Sequence, residues 1–215
     1  TPRHSGMLRA MSDIAPLQTT ELYVRQKREL AEFFGFETRN KYAISTSDRR
    51  EVFYAAEQRS GILGMLAMYF LGHWRSFDIA FFDQTRQEAF RAHHPFRFFF
   101  QRLEVSAGGR FIGAIQQRWA FFTKRFDVLD ANGNVVFEMK SGFFKLWTFP
   151  FFRGEQQVGV IEKKWSGVFN EMFTDKDNFR VAFQDASLSM DQRMLMLAAA
   201  VFVDLQYFER KAQSS

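Results

Sequence analysis

Residues 189–208 read SMDQRMLMLAAAVFVDLQYF, and this stretch decides the fold. Ser189 and Gln192 have the spacing of a capping box, which predicts that a helix begins here. From residue 194 to residue 203 every side chain is apolar, so the helix has no polar face. A helix of that kind must be buried, either in protein or in lipid.

The length of the apolar run separates these two possibilities. Residues 194–203 span about 15 Å at roughly 1.5 Å per residue, about half of the bilayer hydrocarbon core. Extending the helix to Phe208 approaches a full span, but it carries the Asp204 carboxylate into hydrocarbon, which is unfavourable. Length therefore favours a core helix over a single-pass membrane anchor. In a domain that closes around this helix, we expect Asp204 to lie near the mouth of the enclosing barrel with a polar partner. The predicted core side chains are Met194, Leu197, Val201, Phe202 and Leu205.

Most of the chain before this helix has the pattern of short strands separated by turns. Residues 41–44 and 52–55 predict one hairpin, and residues 126–129 and 135–139 predict another. In the second hairpin, Asn132-Gly133 is expected to supply the positive φ angles of a tight turn. The pattern predicts a mainly β domain with many antiparallel strands.

The chain also contains an internal repeat. IGAIQQRW at residues 112–119 returns as VGVIEKKW at residues 158–165. Each copy places Gly, Ile and Trp at the same positions and then leads into an aromatic-rich strand. Repetition of a strand unit favours a sheet that closes on itself, which removes exposed edges.

Composition sets the remaining limits. A chain of 215 residues fits one domain, and 29 phenylalanines allow a large core with aromatics to spare for the surface. The formal charge of +5 permits an anionic partner, either nucleic acid or a phospholipid surface. Without cysteine, disulfides and thiolate chemistry are excluded.

We expect three regions along the chain. Residues 1–20 are expected to be disordered or vector-derived, residues 21–210 to form the single domain, and residues 211–215 to be a tail. A second, weaker helix is predicted at residues 21–34. No apolar stretch of signal-peptide length opens the chain, which favours a cytoplasmic location.

Several motifs, in the same order and with the same spacing, resemble the phospholipid scramblase family from about Leu22 to Glu209. GFETRNKY and VFYAAE resemble the opening signature of that family. KKWSG, FTDKDNF and VDLQYFE resemble its later signatures. These motifs occupy residues 35–42, 52–57, 163–167, 173–179 and 203–209.

The resemblance implies a tubby-like fold, in which a closed antiparallel barrel of about twelve strands surrounds a buried hydrophobic C-terminal helix. It also implies movement of phospholipids between leaflets, stimulated by calcium and independent of ATP. The proline-rich N-terminal extension of the animal members is missing, as in a compact bacterial-type member. No nucleophile elbow, phosphate loop or carboxylate pair is visible, so we expect no enzyme activity.

The calcium expectation depends on three acidic residues. The family's calcium motif corresponds to Asp175, Asp177 and Asp185 here. Counting from Asp175, the twelfth loop position, where an EF-hand needs a bidentate Glu, is Ala186. A weak calcium site therefore competes with a simple polar turn at residues 174–178.

Three apolar segments, residues 61–74, 95–100 and 143–152, are candidates for membrane contact. Animal members of the family carry cysteine clusters, sites of lipid attachment, at about these places. Here we expect the segments to lie on one end of the barrel and to enter the headgroup region. The alternative is packing on the barrel or at a subunit interface. The predicted contact residues are Ile62, Leu63, Met65, Leu66, Trp74, Arg97, Phe98, Phe99, Phe100, Phe143, Phe144, Lys145 and Trp147.

Basic side chains beside these segments favour an anionic phospholipid as the partner. Arg91, Arg97, Lys145 and Arg153 are expected to meet lipid phosphates. The protein would then be peripheral on the inner face of the cell membrane. A peripheral lipid-binding module without transport is the alternative function. Nucleic acid ranks third, because the chain lacks the Lys/Arg stripe of a DNA-binding surface.

Overall fold

The computed structural model describes residues 15–27, 40–58, 76–120, 124–141, 147–164 and 178–208. A 3₁₀ turn, Ala15–Gln18, precedes the strands, and an α-helix, α1, follows them at Met190–Val203 and continues as a π-helical turn, Asp204–Phe208. The strands are β1 Glu21–Gln26, β2 Lys41–Ser45, β3 Glu51–Gln58, β4 Phe77–Phe82, β5 Glu88–His94, β6 Arg102–Ala107, β7 Arg110–Arg118, β8 Arg125–Asp130, β9 Val135–Lys140, β10 Thr148–Arg153, β11 Gln156–Lys164 and β12 Asn178–Phe183.

The twelve strands form one closed barrel in which every strand pairs with its neighbours in sequence. All pairings are antiparallel, and β1 closes the sheet by pairing with both β2 and β12. Closure leaves no strand with an unpaired edge. The predicted fold, a closed antiparallel barrel of about twelve strands around a C-terminal helix, is confirmed.

The prediction of a helix at residues 21–34 is wrong over its first part. Glu21–Gln26 is strand β1, in which Leu22 and Val24 are buried and the residues beside them are partly exposed. This period of two is the period of a strand with one face on a core. Residues 28–34 lie outside the described residues.

Both predicted hairpins are present, as β2–β3 and β8–β9. In the second one, positive φ occurs at Gly133 (84°) but not at Asn132, so the prediction for that pair is half wrong. The Asp130 carboxylate stabilises the turn instead, accepting hydrogen bonds from the backbone N–H groups of Asn132 and Asn134, each at 2.9 Å. The connection between β8 and β9 comprises residues 131–134 and is longer than a two-residue turn.

Helix α1 fills the inside of the barrel. The predicted capping box is present: the Ser189 hydroxyl accepts from the Gln192 amide, and the Gln192 side chain accepts from the Ser189 amide. Every residue from Arg193 to Val203 is buried. The side chains predicted for the core, Met194, Leu197, Val201, Phe202 and Leu205, are all buried.

The internal repeat places glycines against this helix. Gly113 in β7 and Gly159 in β11 hold equivalent places in the two copies. A Cβ built on Gly113 would lie 3.0 Å from Leu195 Cδ1, and one on Gly159 would lie 2.2 Å from Met196 Cε. At these glycines the two strands therefore pack closely against side chains of α1.

The two ends of the barrel differ. Because the strands alternate in direction, every second connection emerges at the same end. One end carries the short turns and the start of α1; we call it the tight-turn end. At the other end, the long-connection end, lie the strand ends that bound residues 27–40, 59–76, 95–101, 119–124, 141–147 and 165–177.

Residues before the predicted domain boundary at 21 also pack on the barrel. Leu17 is fully buried in the core. The Arg193 guanidinium donates to the carbonyl oxygens of Leu17 (2.9 Å) and Thr19 (2.7 Å). Residues 15–20 are thus joined to the first turn of α1.

Candidate functional site

The connection between β5 and β6, residues 95–101, carries the most exposed aromatic cluster of the described chain. We call it the phenylalanine loop. Phe99 is 80% exposed, and Phe96, Phe98 and Phe100 are also exposed. Apolar rings of this size are normally buried, so a contiguous exposed group indicates a contact surface.

Hydrogen bonds hold the phenylalanine loop against β7. The Gln116 side-chain amide donates to the Phe100 carbonyl at 3.0 Å, and the Gln117 side-chain oxygen accepts from the Gln101 amide at 3.1 Å. Phe100 has a φ of 51°, a conformation that L-residues rarely adopt. Such strain persists only where the surroundings fix it, so the loop is pre-shaped.

A surface pocket of about 860 Å³ lies beside this loop, on the outer wall formed by β7, β8 and β9. Trp119, which follows β7 directly, is 66% exposed and forms part of the pocket wall with Phe100. The pocket lining comprises Arg97, Phe100, Gln116, Gln117, Arg118, Trp119, Arg125, Asp127, Val135 and Glu138.

Three arginines and two carboxylates set the charge of the pocket. Arg118 Nε lies 3.0 Å from Asp127 Oδ2, and Arg125 Nη2 lies 2.9 Å from Glu138 Oε2. A hydrogen bond from Lys140, with the charges of Lys140 and Arg125, holds the pKa of Glu138 below its usual value. Both carboxylates are thus matched by an arginine.

Arg97 is the third arginine of the pocket. Within the part of the chain that the structure describes, its guanidinium has no ion pair or hydrogen bond. The pocket therefore has a net positive charge and presents one free guanidinium beside two aromatic rings.

Below the loop, buried polar groups surround the end of α1. The His94 ring is fully buried, lies 2.6 Å (Nε2) from Gln101 Oε1 and stacks on Phe77. Asp204, at the C-cap of α1, is buried and accepts a hydrogen bond of 2.9 Å from the Tyr42 hydroxyl. The expectation that Asp204 lies near the mouth with a polar partner is confirmed.

Replacing Tyr42 by Phe is expected to lower the free energy of unfolding by about 1–3 kcal/mol, because a buried carboxylate loses a donor. Urea denaturation followed by circular dichroism measures this. Tyr54→Phe is the matched control, since the Tyr54 hydroxyl donates to Glu51 at 2.9 Å but lies only partly buried. Equal losses in the two variants would contradict a special role for the Asp204 contact.

Several predicted contact residues lie outside the described residues: Ile62, Leu63, Met65, Leu66, Trp74, Phe143, Phe144 and Lys145. Their connections nevertheless begin and end at the long-connection end, where the phenylalanine loop also lies. Trp147 is half-buried and packs on the core, with Lys163 Nζ 5.5 Å from its ring centre. In the third apolar segment, Phe149 and Phe151 of β10 are fully buried in the barrel core. Core packing therefore explains why these two positions are apolar.

Two of the basic residues expected to meet lipid phosphates are paired within the protein. Arg153 lies at the tight-turn end, where its Nη1 is 2.8 Å from Asp185 Oδ2. Arg91 forms an ion pair with Glu88 in β5. Arg97 lies at the long-connection end, and Lys145 is outside the described residues.

Of the predicted calcium ligands, only Asp185 is described. Hydrogen bonds from the hydroxyl and then the amide of Ser187, with the charge of Arg153, hold its pKa below the usual value. Asp185 follows β12 at the tight-turn end, whereas Asp175 and Asp177 precede Asn178, where β12 begins. Asp175 and Asp177 lie outside the described residues, so the calcium site at Asp175, Asp177 and Asp185 stays a prediction.

Among the described residues, no group of three or more His, Asp or Glu side chains is placed to hold a metal ion. The same part of the chain contains no helix that is both long and apolar enough to cross a bilayer.

Sequence reasoning missed three residues of the pocket, Arg118, Trp119 and Arg125. A signal for them was present: Trp119 ends the first copy of the repeat, and the two arginines flank the connection that follows it. Only the pairing of β7 with β8 shows that Arg118 and Arg125 lie opposite each other.

The fold and this site together define a helix-filled antiparallel barrel with an aromatic, arginine-bearing surface at one end. Residues 6–210 match the sequence profile of the Scramblase family. The chain belongs to the Scramblase family. Comparison with solved structures gives no significant match, and the expected likeness to tubby-like proteins stays a prediction.

Relatives from animals and yeast cover most of the chain. Phospholipid scramblase 1 of Mus musculus is 32% identical, over 90% of this chain and 62% of its own length. Phospholipid scramblase 1 of Homo sapiens is also 32% identical, over 89% of this chain and 64% of its own length. A phospholipid scramblase family protein of Schizosaccharomyces pombe is 24% identical, over 96% of this chain and 64% of its own length. The chain thus spans slightly less than two thirds of the length of these relatives.

Proposed function

We propose that this protein acts on phospholipids at a membrane surface and moves them between leaflets without ATP. The observation that carries the proposal is the group of exposed phenylalanines around Arg97 at the long-connection end. Aromatic rings beside a cation suit the bilayer interface, where apolar chains and anionic phosphates meet. Membership of the Scramblase family supports movement as the activity.

The geometry supports membrane contact through the long-connection end of the barrel. Phe96, Phe98 and Phe99 project from a loop that hydrogen bonds fix to β7, so they can enter the headgroup region without rearrangement of the barrel. Partitioning of one such ring contributes roughly 1.5–3 kcal/mol. Contact with an anionic, inner-face lipid belongs to the same proposal.

A second candidate function is lipid binding without transport. It is favoured by the burial of α1, whose residues from Arg193 to Val203 all face the inside of the barrel. A helix in that position cannot lie in lipid while the barrel stays closed. Transport would then require the loops, not the helix, to disturb the bilayer.

Flotation with phosphatidylcholine vesicles, with and without phosphatidylglycerol, tests membrane contact. We expect Phe98→Ser/Phe99→Ser to weaken binding about tenfold or more, because the loss of two inserted rings exceeds the roughly 1.4 kcal/mol that corresponds to tenfold. Phe111→Ser is the matched control: Phe111 is also exposed, but it lies near the start of β7 at the tight-turn end.

Equal binding by wild type and the double variant would contradict contact through the phenylalanine loop. Proteoliposomes with a fluorescent lipid, bleached from outside with dithionite, then separate the two candidate functions. Faster loss of inner-leaflet signal supports movement, and vesicle binding without that loss supports the binding module. Adding calcium to the same assay tests stimulation by the ion.

A further inference from the structure

We propose that the pocket between the phenylalanine loop and the wall of β7, β8 and β9 binds the phosphate of an anionic phospholipid. The Arg97, Arg118 and Arg125 side chains would hold the phosphate, and Phe100 and Trp119 would flank the glycerol region of the lipid. This inference rests on the proposed function, because it assumes that the long-connection end meets lipid.

The three arginines have N–H groups that their ion pairs do not use. A guanidinium carries five N–H groups in a planar fork that suits phosphate oxygens. The ion pair of Arg118 uses Nε, and that of Arg125 uses Nη2. The remaining N–H groups of both, with the whole guanidinium of Arg97, can therefore bind an anion.

Charge complementarity selects the ligand. Three arginines face two carboxylates in the lining, which leaves one positive charge unmatched. The phosphate diester of a phospholipid carries one negative charge, which matches the one positive charge left in the pocket. The exposed rings of Phe100 and Trp119 in the same wall favour a phosphate attached to an apolar body, as in a lipid, over free phosphate.

The position of the pocket agrees with this assignment. Arg118 ends β7 and Arg125 begins β8, so both lie at the end from which the phenylalanine loop projects. With Phe98 and Phe99 among the acyl chains, the adjoining arginines would lie at the depth of the phosphates. Hydrogen bonds from the Gln116 side chain to the Phe100 carbonyl and from the Gln101 side chain to the Arg97 carbonyl hold this part of the loop beside the pocket.

Vesicle binding by arginine variants tests the pocket. We expect Arg97→Gln and Arg118→Gln each to reduce affinity for phosphatidylglycerol-containing vesicles about tenfold, the usual effect of losing a charge-assisted hydrogen bond. Arg110→Gln is the matched control. Arg110 is 61% exposed and paired with Asp191, and Arg118 is 60% exposed and paired with Asp127, but Arg110 lies at the tight-turn end. We expect a change of less than about twofold from Arg110→Gln.

Equal effects of all three substitutions would overturn the pocket and indicate general electrostatic attraction. A second measurement uses monomeric dihexanoyl phosphatidylglycerol, a phosphate diester that needs no bilayer. Saturable binding that Arg97→Gln weakens about tenfold supports the pocket even if wild type fails to bind vesicles, a failure that would count against the proposed function alone. Inorganic phosphate that competes as strongly as the short-chain lipid would overturn the assignment to a lipid.

Discussion

Gly113→Ala is expected to lower the free energy of unfolding by about 3 kcal/mol or more, at the upper end of ordinary overpacking. A Cβ at Gly113 would lie 2.1 Å from the Leu129 carbonyl oxygen and 3.0 Å from Leu195 Cδ1. The carbonyl belongs to the paired strand β8 and cannot move without breaking the ladder. The φ of Gly113, 152°, is a further strain for alanine. Urea denaturation of the two proteins, with circular dichroism as the readout, measures the difference.

Gly108→Ala is the control for backbone strain alone. Gly108 also has a positive φ (56°), but a Cβ there would meet no atom within 4 Å, so its replacement is expected to cost about 1–2 kcal/mol. Gly159→Ala should resemble Gly113→Ala, since the Ala182 carbonyl oxygen would lie 2.6 Å from the new Cβ. If Gly113→Ala loses no more stability than Gly108→Ala, close packing against β8 and α1 does not explain the glycine at position 113.

These glycines show how far the sequence predicts the fold. The repeat and the apolar run at residues 194–203 indicated a closed barrel around a buried helix, because each is a local pattern: the run requires burial and is too short to span a bilayer, and the repeat favours closure. The repeat could not indicate that its glycines face the helix, since that depends on the register between β7, β8 and α1. Strand β1 was mistaken for a helix because its partners, β2 and β12, are distant in the chain.

The candidate site was predicted less completely than the fold. The phenylalanine loop was visible as an apolar run between two strands, and Arg97 was found with it. The pocket was not visible, because Arg118 and Arg125 are brought opposite each other only by strand pairing. The separation of Arg153 from the phenylalanine loop was not visible for the corresponding reason: adjacency to an apolar segment does not show at which end of the barrel a strand finishes.

Arg193 is the other residue whose role depends on distant parts of the chain. Its guanidinium donates to the carbonyl oxygens of Leu17, Thr19 and Leu188, at 2.9, 2.7 and 3.3 Å. The guanidinium carbon also lies 4.8 Å from the centre of the Phe183 ring, a cation–π distance. Burial lowers the pKa of Arg193, and the charge of Asp185 opposes that shift. The side chain is nevertheless a cation at neutral pH, because arginine ionises so far above it.

Arg193→Met is expected to lower the free energy of unfolding by about 3 kcal/mol or more, since the carbonyl oxygens of Leu17 and Thr19 lose a charged donor and each such loss ordinarily costs about 1–3 kcal/mol. Methionine keeps the unbranched apolar stem of the side chain but not the guanidinium, so the cation–π contact with Phe183 is lost together with the hydrogen bonds. Hydrogen exchange should show faster exchange at residues 15–20 before the barrel itself opens, because those residues are then joined to α1 only by apolar contacts. Arg110→Met is the control: its exposed pair with Asp191, in the same helix, should be worth less than about 1 kcal/mol. Unchanged protection of residues 15–20 in Arg193→Met would show that this segment is fixed to the barrel without Arg193, by burial of Leu17 and the hydrogen bond from the Phe183 amide to the Thr20 carbonyl.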